Sequence, residues 1–218
     1  GIEVTCQVRR MTKLDIPQVT QIDREAFPTM WPPVNFRSEM TNRLAHYMVV
    51  SNGSKVVNSQ PAIKLVPVRS FLGLRWPFGH NPAQSSEPEN DMVDFICGFV
   101  GLWLMVDESH IINIAVRESY RGKGIGELLL ISSIDKSTQL KAKTVTLEVR
   151  ASNTVAQNLY SKYGFSKVGV RRGYYTDNKE DAFIMTTDFI TSDSYQQQFQ
   201  KLKKAHFQKM GDIEYTIS

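Results

Sequence analysis

VRESYRGKGIGELLL, from Val116 to Leu130, places Arg121, Gly122, Lys123, Gly124 and Gly126 between an apolar strand-like run and an apolar helix-like run. Glycines in such a turn leave backbone N–H groups open at a helix N-terminus, where the unpaired amides and the helix dipole favour an anion. Arg121 and Lys123 add positive charge. Two familiar phosphate motifs fail here. The dinucleotide pattern needs a further glycine where Glu127 or Leu129 stands, and the P-loop needs a glycine at Arg117 and Ser or Thr after Lys123. A pyrophosphate fits the turn that remains, although the same glycines could serve strand-to-helix geometry alone.

Working outward, DFICGFVGLWLMVDESHIINIAV reads as two strands joined at a DES turn, the first apolar enough to be central in a sheet. A helix is expected from about Gly124 to Leu140, with Ile125, Leu128, Leu129, Ile131 and Ile134 on a broad apolar face. Then follow a strand at KTVTLEVR, a helix at NTVAQNLYSKY closed by Gly164, and strands at FSKVGVRR and DAFIMTT. Upstream, a strand over Ile2 to Arg10 precedes a helix carrying Leu14, Val19, Ile22 and Ala26 at helical spacing. Pro-rich FPTMWPP breaks that pattern before a short helix around Phe36 to Leu44 and a strand at HYMVV.

Residues from about 53 to 91 hold most of the prolines and no sustained period, and read as an insertion in the hairpin of the second and third strands, with an apolar knot at FLGLRWPF. Beyond Phe189, Tyr195, Phe199 and Leu202 share one helical face beside several lysines. That tail reads as a helix packed on its own domain, as a loose end, or as a surface for an acidic partner. The expected organisation is one α/β domain over residues 1–190 and a C-terminal extension over 191–218.

With 218 residues, 41% of them apolar, the chain can bury a core, and its formal charge of +4 suits an anionic ligand without implying nucleic acid. Cys6 and Cys97 lie in strand-like sequence, so inert buried thiols are expected, not a disulfide or a covalent nucleophile. His46, His80, His110 and His206 lack ligand spacing, and no metal is expected. The longest apolar run, Val93 to Val106, is too short for a membrane helix, and no charged-then-apolar leader is visible, which suggests a cytoplasmic protein.

The spacing Arg121, Gly124, Gly126, after a strand and opening a helix, resembles the acetyl-CoA signature of the GNAT acetyltransferase superfamily. NIAV, LEVRASN, LYSKYGF, RRGYY and EDAFIM occur in an order similar to that of the RimI-type ribosomal-protein N-terminal acetyltransferases. The resemblance covers residues 2–52 loosely and 93–187 closely, but neither the insertion nor the tail. It implies a GNAT fold, a central mixed β-sheet flanked by α-helices, with acetyl-CoA as cofactor. The acceptor it implies is a protein or peptide N-terminus with a small first residue, Ala or Ser, on a ribosomal protein. No nucleic acid or membrane partner is implied.

Acetyl transfer from a thioester to an amine needs an anchored pantetheine, a deprotonated amine, a polarised carbonyl and a proton for the departing thiolate. In TVTLEVR, Val145, Leu147 and Val149 face one side of the strand and Thr146, Glu148 and Arg150 the other. A carboxylate among apolar neighbours can have a raised pKa suited to a base, or it can pair with Arg150. Asn153, Gln157, Tyr160 and Gly164 lie along one face of the next helix.

The resemblance makes Glu148 the base, Tyr160 the acid and Asn153 a cofactor contact. It assigns the main chain of Ile114, Ala115 and Val116 to pantetheine, and Arg121 with Gly122, Lys123, Gly124, Ile125, Gly126 and Glu127 to the pyrophosphate. Phe27, Tyr174 and Tyr175 become walls of the acceptor slot. Two alternatives stay open, a GNAT acting on lysine or a small polyamine and a non-catalytic acetyl-CoA-binding sensor.

Overall fold

A computed structural model describes residues 5–58 and 92–218. Eight strands form one mixed sheet: β1 (Cys6–Arg10), β2 (Ala45–Asn58), β3 (Met92–Met105), β4 (Glu108–Val116), β5 (Thr144–Arg150), β6 (Phe165–Arg171), β7 (Ala182–Thr187) and β8 (Ile213–Thr216). Their spatial order is β6-β7-β5-β4-β3-β2-β1-β8. Helices α1 (Ile16–Ala26) and α2 (Phe36–Glu39) cover one face. Helices α3 (Ile125–Gln139), α4 (Thr154–Lys162) and α5 (Asp193–Met210) cover the other.

The alternation of each strand decides which residues meet which layer. On β5, Val145, Leu147 and Val149 are buried against the α3 layer, which leaves Thr146, Glu148 and Arg150 on the opposite face. Helix α3 is buried almost all round, including Leu128 to Ile134, because β-strands lie beneath it and α5 lies beside it. On the α1 side a smaller core gathers Val19, Ile22, Phe36, Tyr47 and Phe99.

The register between β4 and β5 creates the space that matters. These parallel strands pair only from Glu108↔Thr144 to Ile111↔Leu147, whereas β4 stays paired with β3 as far as Val116↔Gly98. A register shift between Gly101 and Leu102 leaves Ile112 as an extra residue of β4 at the end of the β5 ladder. Beyond it β4 and β5 part, and among the described residues the β4 main chain over residues 112–116 has no strand on its β5 side.

Several elements differ from expectation. Helix α2 stops at Glu39 instead of reaching Leu44, because Asn42 draws the chain into a turn, its side chain accepting from Leu44 N–H at 3.0 Å and its carbonyl from Ala45 N–H at 3.1 Å. Strand β2 continues past the HYMVV core to Asn58, with irregularities after Val50 and Asn52, and residues 56–58 rejoin the hairpin ladder opposite β3. The β3–β4 turn is Val106–Asp107, one residue ahead of the expected DES. Val106 takes the left-handed conformation (φ 58°) and points into solvent. Ile213–Thr216, in the tail, is a strand that no local pattern marks, and it pairs parallel with β1. The apolar knot at residues 71–78 lies outside the described residues.

Candidate active site

The glycine turn sits where β4 ends and α3 begins. Gly122 and Gly124 have φ of 74° and 83°, a conformation that only glycine adopts without strain. The first intrahelical bond of α3 runs from Leu128 N–H to Gly124 C=O (3.1 Å), so the N–H groups of Ile125, Gly126 and Glu127 precede it without a helical partner. Gly126 is in ordinary helical conformation, and a Cβ there would meet only Val116 Cγ2 at 3.8 Å. Arg121 donates through Nε to the Val116 carbonyl at 3.2 Å, and Lys123 Nζ lies 4.9 Å from the Tyr120 ring centroid.

Glu127 behaves differently from the rest of the turn. Its carboxylate accepts from Lys162 Nζ (2.6 Å) and Tyr163 Oη (2.7 Å) and lies 3.3 Å from His206 Nδ1. Partial burial works against the charge, yet these three partners outweigh it and hold the group below the usual glutamate range. Only its main chain is therefore available to an anion.

Glu148, Tyr160, Asn153 and Ile114 come together with Phe27, Tyr174 and Tyr175 around a cleft of about 330 Å³, at the place where β4 and β5 part. The cleft opens into a wider mouth of about 650 Å³ between the α1–α2 loop and the β6–β7 hairpin. Thr29 Oγ1 donates to Asp177 Oδ2 across that mouth at 3.2 Å, joining the two walls. The rings of Tyr174 and Tyr175 meet edge to face at 5.2 Å. Arg150 fixes the hairpin wall, with its guanidinium 3.9 Å from the Tyr175 ring centroid and hydrogen bonds to Asp177 and Glu180.

Arg150 is therefore not the partner of Glu148. That carboxylate pairs with His110 Nε2 at 2.6 Å and with Arg171 Nε at 3.2 Å. The expectation of a raised pKa is overturned. Burial does push Glu148 up, but the hydrogen bond and charge of His110, together with Arg171, more than offset it and hold the group below the usual glutamate value. Glu148 thus stays ionised at neutral pH.

His110 and Arg171 are the site residues that sequence reasoning missed. His110 lacks metal-ligand spacing in the sequence, but it stands opposite Thr146 in the β4–β5 register, diagonal to Glu148 on the same face. Parallel pairing of those two strands is the signal that places it there.

Tyr160 is buried at the inner end of the cleft, its ring 5.7 Å from Phe165. Removal from water pushes its phenol up to about 12, so it is protonated under ordinary conditions. Asn153 caps α4, its side-chain oxygen accepting from Ala156 N–H at 3.1 Å. Cys6 and Cys97 are both buried free thiols, and burial raises both pKa values, Cys97 to about 12.

Residues 81–165 match the model of the acetyltransferase (GNAT) family. A Bacillus subtilis (strain 168) protein that carries the provisional name ribosomal protein bS18-alanine N-acetyltransferase is 32% identical over 179 residues, covering 82% of this chain and 92% of its own. The N-alpha-acetyltransferase of Sulfurisphaera tokodaii is 31% identical over 180 residues, with 82% and 90% covered. The chain belongs to the GNAT acetyltransferase family. The Escherichia coli ribosomal-protein-S18-alanine N-acetyltransferase shares its fold, superposing with a TM-score of 0.59 at 24% identity over 85% of this chain and 94% of that one.

As a GNAT acetyltransferase the chain uses acetyl-CoA, and two features of the fold suit that molecule. The unpaired edge of β4 suits an extended pantetheine amide chain, and the open amides of the glycine turn suit a pyrophosphate. Among the described residues no helix is long and apolar enough to cross a membrane.

Proposed function

We propose that this protein acetylates the N-terminal α-amine of a protein or peptide, by direct attack of the amine on acetyl-CoA. The observation that carries the reading is the single cleft that joins Glu148 and Tyr160 to an aromatic slot at the parting of β4 and β5. Acetyl-CoA supplies the acetyl group as a thioester. The main chain of residues 122–127, with Lys123 and Arg121 nearby, would hold its pyrophosphate, and Ile114 to Val116 with Asn153 would hold its pantetheine.

The His110–Glu148 pair receives the proton that the amine loses as its nitrogen bonds to the acetyl carbon. Tyr160 gives its proton to sulfur as the carbon–sulfur bond breaks. Because Glu148 is held ionised, it can orient the incoming ammonium group, and the proton is shared with His110 and not held by Glu148 alone.

Phe27, Tyr174 and Tyr175 leave a narrow slot, which suits a chain end with a small first residue, Ala or Ser. Two relatives named for the alanine of ribosomal protein bS18 point to a ribosomal protein as target. Deprotonation favours the same acceptor, since an α-amine with pKa near ~8 loses its proton about 3 kcal/mol more readily than a lysine near ~10.4.

Incubation with acetyl-CoA and paired peptides tests this. One set starts with free Ala or Ser, and the other has a blocked N-terminus and a free lysine. Mass spectrometry is expected to find acetate on the α-nitrogen, at a rate at least ~100-fold above the lysine set. Acetate mainly on ε-nitrogens overturns the reading in favour of a lysine acceptor, and no transfer to any amine favours a binding protein.

A further inference from the structure

The C-terminal extension forms a dense polar cluster against the glycine turn. It is anchored firmly: Lys203 Nζ and Tyr215 Oη each lie 2.5 Å from Asp135 Oδ2 on α3, Lys136 Nζ donates to the Ile217 carbonyl at 3.2 Å, and Phe199 and Ile217 are buried in the main core. The last turns of α5 therefore sit at a fixed place. There His206 is buried, with Nε2 2.9 Å from the Gly124 carbonyl and Nδ1 3.3 Å from Glu127 Oε2. Both partners are acceptors, and each faces one nitrogen of the ring. Gly124 fits so closely beneath the ring that a Cβ would lie 2.9 Å from His206 Cε1.

Between the two segments lies a cavity of about 360 Å³, lined by Gly122, Lys123 and Gly124 from the turn and by His206, Lys209 and Met210 from α5. The C-terminal end of a helix carries partial negative charge, which would disfavour a phosphate group beside it. Lys209, exposed in the last turn of α5, offsets that charge at the rim of the cavity. Among the described residues it forms no ion pair, whereas Lys162 and Lys203 each hold a carboxylate.

We infer that the C-terminal extension is part of the acetyl-CoA phosphate site: Lys209 is a cation for the phosphate groups on the far side from Lys123, and His206 is a positioning residue that holds Gly124. The inference rests on the reading of the glycine turn as the cofactor site. His206 fixes the carbonyl that starts α3, and with it the direction of the amides at residues 125–127. Lys209 draws phosphate into the cavity that the turn and α5 both line.

Calorimetric titration of the full chain with CoA tests both residues. Lys209→Ala is expected to raise Kd about 2–5-fold and Lys209→Glu about 10-fold or more, with the difference shrinking at high salt. Lys123→Glu serves as the control on the turn itself. If Lys209→Glu binds within twofold of wild type while Lys123→Glu binds weakly, the cofactor reading stands and this inference falls. If neither change weakens binding, the cofactor reading of the turn falls with it. His206→Ala is expected to raise the Kd for CoA and the KM for acetyl-CoA while kcat at saturation and the peptide KM hold. His206→Gln, which keeps a donor for the Gly124 carbonyl, recovers part of the loss. Equal CoA affinity in wild type, His206→Ala and His206→Gln overturns the role of His206; should the alanine variant not fold, the glutamine variant and the Lys209 series still decide.

Discussion

His110 Nε2 and Glu148 Oε2 are 2.6 Å apart, from neighbouring parallel strands, with Arg171 on the other carboxylate oxygen. The pair stands on the face of the sheet that looks toward the acceptor cleft. A carboxylate so held is a weak proton acceptor by itself, and its value as a base depends on the histidine beside it.

Glu148→Gln is therefore expected to lower kcat/KM for the peptide by about 10²-fold or more near pH 7, with much of the loss recovered at high pH, where the amine deprotonates unaided. His110→Ala should act in the same direction. It also removes the strongest influence that lowers Glu148, leaving burial less opposed, so the carboxyl titrates at higher pH in that variant. Steady-state pH profiles check the first expectation and carboxyl NMR titration the second. A loss that is equal at all pH values would assign the pair to positioning of the amine.

Two glycines of the turn, Gly124 and Gly126, should respond differently to a methyl group. Gly124→Ala meets both a left-handed backbone and His206, and is expected to lower stability by about 1–2 kcal/mol. Gly126→Ala meets only Val116 at ordinary distance and improves helix propensity by up to ~1 kcal/mol, so its melting temperature should hold or rise. A steep increase in the KM for acetyl-CoA in that stable variant would locate the close approach of phosphate to the backbone. An unchanged KM would move the phosphate away from Gly126.

Much of this layout was legible because it is local. The alternation of TVTLEVR put Glu148 on the correct face, and the glycines of RGKGIG marked the start of α3 within one residue. What escaped was set by pairings between distant segments. His110 acquires its role only through the β4–β5 register, and Arg171 through its reach from β6 across the β7 neighbour to β5. The pKa direction of Glu148 follows from the same pairings: burial is visible in the local pattern, whereas the contacts with His110 and Arg171 are not. The tail was half readable, since Tyr195 and Phe199 do pack, while β8 is a four-residue strand whose stability comes from an edge of β1 that no local signal announces.

Asp23 on α1 sets a pH dependence of stability separate from catalysis. It is buried, its Oδ1 has no hydrogen-bond partner among the described residues, and burial pushes its pKa from 3.8 up to about 6 against a smaller opposing effect of Arg24. The folded state thus holds this proton more tightly than the unfolded chain does. The corresponding stability is present below about pH 4 and is lost as pH rises through about 6, to the extent of roughly 2–3 kcal/mol. Asp23→Asn should lose less stability than wild type between pH 4 and pH 8 in urea titrations. Identical slopes in the two proteins would show that Asp23 is hydrated and unperturbed.

Tyr160 offers the cleanest separation of chemistry from structure. Its hydroxyl makes no hydrogen bond among the described residues, while its ring packs on Phe165, an interaction that phenylalanine keeps. Tyr160→Phe should consequently cost the fold little, because no buried partner is left unsatisfied. With a pKa near 12 the phenol is protonated throughout the working range, so its contribution should not depend on pH below about 10. The expected result is a kcat lower by about 10²-fold, a melting temperature and acetyl-CoA KM close to wild type, and a pH profile parallel to that of the parent enzyme. A normal kcat would remove Tyr160 from the proton-donor role and leave the thiolate to be protonated by solvent.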